Sequence, residues 1–142
     1  MLFRLVPFTK LKAPAMSILP AQLVDDGSEF ATVTLGNESP VATRVRRADL
    51  PGKQALELGL RPENVSVAAI GGGAISATAE LVERLGERTL VYARLADQSP
   101  ITAQDEGNSR IQVGDRIGLK IDGSAAHLFG PDGTAFHAAG AE

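Results

Sequence analysis

The chain has 142 residues, no cysteine, a formal net charge of −3 and a pI of ≈ 5.4. That length gives one domain, or two small halves sharing one core. The absence of cysteine excludes disulfide scaffolds, thiolate zinc sites, iron–sulfur clusters and cysteine nucleophiles.

In chain order, Met1 to Pro7 begins like a secretory signal, but Arg4 and Pro7 break the apolar run and Lys10 and Lys12 follow. A signal needs a longer apolar stretch after its charges, so none is expected. No run of about 18 apolar residues appears anywhere, so no membrane-spanning helix is expected. Asp25-Asp26-Gly27 is a turn signal. Glu29 to Leu35 then alternates, with Phe30, Thr32 and Thr34 on one side and Ala31, Val33 and Leu35 on the other. Val41 to Val45 is a further strand candidate. Pro51-Gly52 is a turn before an aliphatic strand, and Gly71 to Gly73 a flexible junction. Ala77 to Glu87 fits a short amphipathic helix or a strand and turn, and its likeness to the earlier segment favours strand with Gly86 at the turn. Arg88 to Leu95 alternates again. Val113-Gly114-Asp115 is a turn, and Arg116 to Ile121 puts Ile117, Leu119 and Ile121 on one face, with Arg116, Gly118 and Lys120 toward solvent. Short strands separated by turn signals favour a closed barrel or a sandwich.

The chain also repeats itself. Ala21-Gln22-Leu23-Val24-Asp25 is similar to Ala79-Glu80-Leu81-Val82-Glu83, and Ser39-Pro40-Val41 to Ser99-Pro100-Ile101. Pro51-Gly52-Lys53 matches Val113-Gly114-Asp115, and Leu58-Gly59-Leu60-Arg61 matches Ile117-Gly118-Leu119-Lys120. Two copies in one order read as a duplicated half-domain. The expected division is a non-matching segment 1–13, a domain 14–137 with halves of about 17–70 and 74–130, and a tail 138–142.

Candidates for chemistry are few. His127 and His137 lie ten residues apart, without the i, i+4 spacing that sets two imidazoles on one metal. No metal, cofactor or catalytic residue is therefore expected. Asp25-Asp26 and Asp105-Glu106 read as solvated turns rather than acid–base pairs. The triple glycine 71–73 lacks the lysine and hydroxyl of a phosphate loop. Arg44, Arg46 and Arg47 form the densest basic patch, with Arg44 and Arg46 on one strand face, Arg47 opposite and Asp49 available to offset them. Acidic net charge, one Tyr and no Trp argue against a nucleic-acid partner.

One set of segments goes further. Leu58-Gly59-Leu60-Arg61-Pro62-Glu63-Asn64-Val65 resembles the "LGIRPEH" signature in the C-terminal region of bacterial ABC importer ATPases for maltose-type sugars and glycerol phosphate. Ala15 to Ala21 resembles their "PAMNFLPA", Glu80 to Tyr92 their "VELVEPLGSETLVY", and Gly114 to Leu119 with His127-Leu128-Phe129 their "GDRVGL…HLFD". The resemblance runs from about Pro14 to Phe136. Ser17 and Gly130 depart from it, standing where Asn and Asp are usual.

The resemblance implies an all-β, OB-fold-like barrel, the transport-associated (TOBE) domain. It implies a non-catalytic regulatory and dimerisation module on the cytoplasmic side, peripheral to the inner membrane through its transporter complex. The implied partners are a second copy, the nucleotide-binding domain and a regulatory protein. The nucleotide-binding domain itself has no counterpart in these residues. Arg61, Pro62, Glu63, His127 and Phe129 carry over as signature or interface positions, with Arg61 and Glu63 expected to pair or to bind backbone carbonyls. The alternative is a small-oxyanion module of the molybdate type. It needs clustered amides with Ser, Thr or Lys, for which Ser99 and Lys120 are the candidates.

Overall fold

The computed structural model describes residues 16–36, 40–50, 55–69 and 75–139. Among them there are eleven strands and no α-helix. The strands are β1 (Ser17–Leu23), β2 (Phe30–Thr34), β3 (Val41–Arg46), β4 (Leu56–Leu60), β5 (Val65–Ala68) and β6 (Ile75–Arg84). They continue with β7 (Arg88–Leu95), β8 (Pro100–Glu106), β9 (Arg116–Ile121), β10 (His127–Phe129) and β11 (Ala135–Phe136).

The expected alternation of faces holds in β2, where Ala31 and Val33 are buried and Phe30, Thr32 and Thr34 half-buried. Ala77 to Arg84 is strand, and Gly86 turns at φ 89°. Left-handed backbone of this kind suits glycine because no Cβ opposes it. The Gly71–Gly73 junction and the Pro51-Gly52 turn lie outside the described residues. Two expectations are corrected. Asp105 and Glu106 end strand β8 opposite Thr89 and Arg88, so they are ladder residues and not a turn. Gly118 is buried, because β5 and β6 cover β9 from both sides.

The strands form a six-stranded sheet in the order β11-β10-β4-β1-β2-β3 and a closed barrel β5-β8-β7-β6-β9. Each contains one Greek-key run, β4-β1-β2-β3 or β9-β6-β7-β8, with the fourth strand beside the first. The fifth strand is exchanged. β5 follows β4 in sequence but pairs with β9 and β8, while β10 follows β9 and pairs with β4. A single hydrophobic cluster accordingly joins Leu19, Val33 and Leu58 of the sheet to Val91, Ile101 and Leu119 of the barrel. Ser17 adds a polar link, its hydroxyl accepting from the Thr102 amide at 3.0 Å.

The sheet's ends are also tied. From β11 the chain crosses to β3, where the Ala139 amide donates to the Arg44 carbonyl at 2.8 Å and Ala138 is buried. The fold thus extends past the boundary expected at 138. This covers part of an edge that would otherwise present open backbone groups.

Gly59 on β4 and Gly118 on β9 occupy matching places in the two units. A Cβ on Gly118 would stand 2.6 Å from the Ala69 carbonyl oxygen and 2.9 Å from that of Ala68. A Cβ on Gly59 would meet side chains instead, Met16 Sδ at 2.6 Å and Phe129 Cε2 at 2.7 Å. Side chains can turn aside, whereas paired backbone cannot. Gly118→Ala is therefore expected to lower stability by about 1–3 kcal/mol, as overpacking does, and Gly59→Ala by less. Urea unfolding midpoints of the two variants check the order. Equal midpoints would refute the backbone-clash account.

Candidate functional site

The basic patch is built for structure. Arg47 spans the β1–β2 turn, donating to the Val24 and Ser28 carbonyls at 2.8 Å each and to Asp26 Oδ1 at 2.8 Å. Asp26 is held below the usual carboxylate range by hydrogen bonds from the Ser28 hydroxyl and amide, and then by Arg47. Arg46 pairs with Glu29 at 3.2 Å. Arg44 stacks over the Phe30 ring at 4.7 Å. The partners that offset this patch are thus Glu29 and Asp26, in place of the expected Asp49.

The signature positions fall on two neighbouring places. Arg61 precedes a 3-10 turn, Pro62–Asn64, and its carbonyl accepts from the Asn64 amide at 2.9 Å. Pro62 is buried at the start of that turn, where its missing N–H costs nothing. Arg61, Pro62 and Glu63 line a shallow depression of ≈ 390 Å³ with Arg88, Leu90 and Gln104. Among the described residues Arg61 and Glu63 form no ion pair with each other, contrary to one of the expected roles.

His127 and Phe129 project from β10 on the outer face of the six-stranded sheet. His127 lies opposite Gly59, which in turn lies opposite Ile18 on β1. The absent Cβ at Gly59 makes room for Phe129 and Met16 to close over the strand.

The structure corrects the reading of the two histidines. Ten residues of separation suggested no shared site, but β10 and β11 form a hairpin. Leu128 pairs with Phe136 and Phe129 with Ala135, so one step further His127 faces His137. Their Nδ1 atoms stand 3.0 Å apart and the rings meet edge-on at 88°. The signal that could have found this is Gly130-Pro131-Asp132-Gly133, a turn sequence at the midpoint between them. Its geometry is a Gly130 amide bonded to the Thr134 carbonyl, with Asp132 Oδ1 accepting from the Thr134 amide. His127 is pushed below the ordinary imidazole value by partial burial, then by His137 and by the Arg61 guanidinium.

The oxyanion candidates fare differently. Ser99 sits in the β7–β8 turn, where Asp97 Oδ1 already accepts its amide at 3.0 Å. Lys120 lies on β9 opposite Ser66 of β5. β9 and the β7–β8 pair are separated in the barrel by β5 on one side and β6 on the other.

Comparison with known proteins places this geometry. The TOBE domain profile matches residues 58–129, from within β4 to the end of β10. The alpha-glucoside transport ATP-binding protein AglK of Rhizobium meliloti is 32% identical over 127 residues, covering 89% of this chain and 35% of its own. The sn-glycerol-3-phosphate import ATP-binding protein UgpC of Psychromonas ingrahamii is 34% identical, covering 87% and 32%. The maltose/maltodextrin import ATP-binding protein MalK of Vibrio vulnificus is 33% identical, covering 87% and 33%. The chain thus spans about a third of the length of the curated relatives it matches. In fold it is similar to the cytoplasmic molybdate-binding protein ModG, solved with molybdate bound. The TM-score is 0.68 at 15% identity, over 84% of this chain and 99% of that one.

Two outcomes are expected. Arg47→Ala strips the Val24 and Ser28 carbonyls of their donor and should cost about 1–3 kcal/mol, whereas Arg46→Ala loses an exposed pair and a 5.9 Å approach to the Phe30 ring and should cost less, within about 0.5–1 kcal/mol. Denaturant melts compare them. The second concerns His127, whose folded value is depressed. Its contribution to stability is complete above the ordinary imidazole pKa of 6.5 and declines as pH falls below that value toward the depressed one. Imidazole NMR titration should show His127 gaining its proton below pH 6.5, and at a higher pH in His137→Ala than in the parent.

Proposed function

The chain belongs to the TOBE domain family, and on that premise we propose that it is the non-catalytic regulatory and dimerisation module of an ABC importer ATP-binding subunit for sugar-type solutes. One observation carries the reading: importer ATP-binding proteins at 32 to 34% identity align with nearly all of this chain, which accounts for only about a third of each. A module of that size, without a phosphate loop, contributes contacts and not hydrolysis.

The architecture supports such a role. The exchanged strands make the two units one body, so a contact made at one is felt at the other. The depression at Arg61, Pro62, Glu63 and Arg88 and the outer face bearing His127, Phe129 and Ile18 are the surfaces we assign to partners. Those partners are a second copy, the nucleotide-binding domain and a regulatory protein. The place of work is the cytoplasmic side of the inner membrane, reached through the transporter complex.

The oxyanion reading draws on the fold likeness to ModG. The candidate residues do not favour it, since the Ser99 amide already donates to the Asp97 carboxylate and Lys120 stands apart from it.

The test is to tag the protein in its native host and isolate it from detergent-treated membranes. Recovery with an ABC ATP-binding subunit and its permease, in two copies per complex, is expected. Recovery only as a free monomer would overturn the proposal. Calorimetry with molybdate, tungstate and sulfate is expected to give no heat. Saturable heat with molybdate would move the assignment to the oxyanion reading.

A further inference from the structure

The β10–β11 hairpin fixes two imidazoles at a spacing that suits a metal ion. His127 is held on its other side by the β4 ladder, and the turn 130–134 is closed by its own hydrogen bonds. The pair is therefore set by backbone pairing and not by the chance meeting of two mobile side chains. The His127 and His137 Nδ1 atoms are 3.0 Å apart. Imidazole–metal bonds measure about 2.0–2.1 Å, so two of them place their nitrogens about 2.9 Å apart at a right angle and about 3.4 Å apart at the tetrahedral angle. The observed spacing matches adjacent positions of a square-planar or octahedral ion.

We propose that His127 and His137 form a bidentate site for a borderline divalent transition-metal ion, binding through both Nδ1 atoms. Cu²⁺ is favoured over Ni²⁺ and Zn²⁺, by the general affinity order and by the near-right-angle geometry. Without metal, one Nδ1 donates its hydrogen to the other. On binding, that proton moves to the Nε2 of the same ring through solvent, leaving both Nδ1 lone pairs on the metal. No third His, Cys, Asp or Glu joins the pair among the described residues, so the remaining positions are left to water. His137 is exposed and gives access. The environment of His127 keeps its ring unprotonated at neutral pH. The inference does not rest on the transporter assignment, although His127 also lies on the outer face assigned there to partners.

The experiment is titration of the intact chain with CuCl₂ at pH 7.5, read by calorimetry and by pulsed EPR. One equivalent bound, with two equatorial imidazoles, is expected. Loss of an outer-shell partner alone typically weakens a metal site about 10–100-fold, so loss of a ligand in His137→Ala or His127→Ala should weaken Cu²⁺ by at least about tenfold and leave one imidazole in the spectrum. As His127 is half-buried, the His137→Ala variant carries the test if His127→Ala fails to fold. NiCl₂ supplies a second readout, with amide broadening expected around residues 127–137. Unchanged Cu²⁺ affinity in His137→Ala, fewer than two imidazoles in the parent, or broadening centred elsewhere would each overturn the site.

Discussion

Strands β4 and β9 each carry backbone hydrogen-bonding groups along both edges, and the first strand of the same Greek-key run satisfies only one of them. β1 pairs with β4, and β6 with β9. The second edge is filled by a strand donated across the molecule, β10 for β4 and β5 for β9. Unpaired buried backbone is costly, so each donated strand is held by its acceptor's need. The exchange also determines what each unit lacks alone. Without β5 the barrel does not close, and without β10 the six-stranded sheet loses both β10 and the β11 strand attached to it.

The placement of the signature residues follows from this exchange. The 3-10 turn Pro62–Asn64 is where the chain leaves one unit for the other, which is why Arg61 and Glu63 share a depression with Arg88 and Gln104 of the barrel. The matching crossing, Gly123–Ala125, delivers β10 to the outer side of β4 and so puts His127 and Phe129 over Gly59. Asp122 caps that crossing by accepting from the Ser124 amide and hydroxyl, which also keeps its carboxyl below the usual range. Signature residues at these crossings steer the chain between units.

Buried polar groups are sparse and local. Thr43 donates to the Ala31 carbonyl at 2.7 Å beside the irregular β2–β3 register, and Thr89 donates to the Glu106 carbonyl at 2.9 Å. Both hydroxyls donate to main-chain carbonyls. Among the described residues the buried core is otherwise aliphatic.

Composition and period by themselves determined the all-β class, the faces of β2, the glycine turns at Gly27, Gly86 and Gly114, and the repeat that aligns Gly59 with Gly118. Those are properties of neighbours a few residues apart, where alternation and turn chemistry act directly. The motifs also pointed to Arg61, Pro62, Glu63, His127 and Phe129 as a set. Only the tertiary structure decided the rest. Strand exchange pairs residues about sixty positions apart, and nothing in a local pattern states which unit receives β5 or β10. Burial of Gly118 depends on that choice, because the Ala68 and Ala69 carbonyls that cover it arrive with β5. The meeting of His127 and His137 depends on a hairpin register, which converts ten residues of separation into 3.0 Å. Spacing rules written for helices could not show it, since cross-strand neighbours are set by where the turn falls.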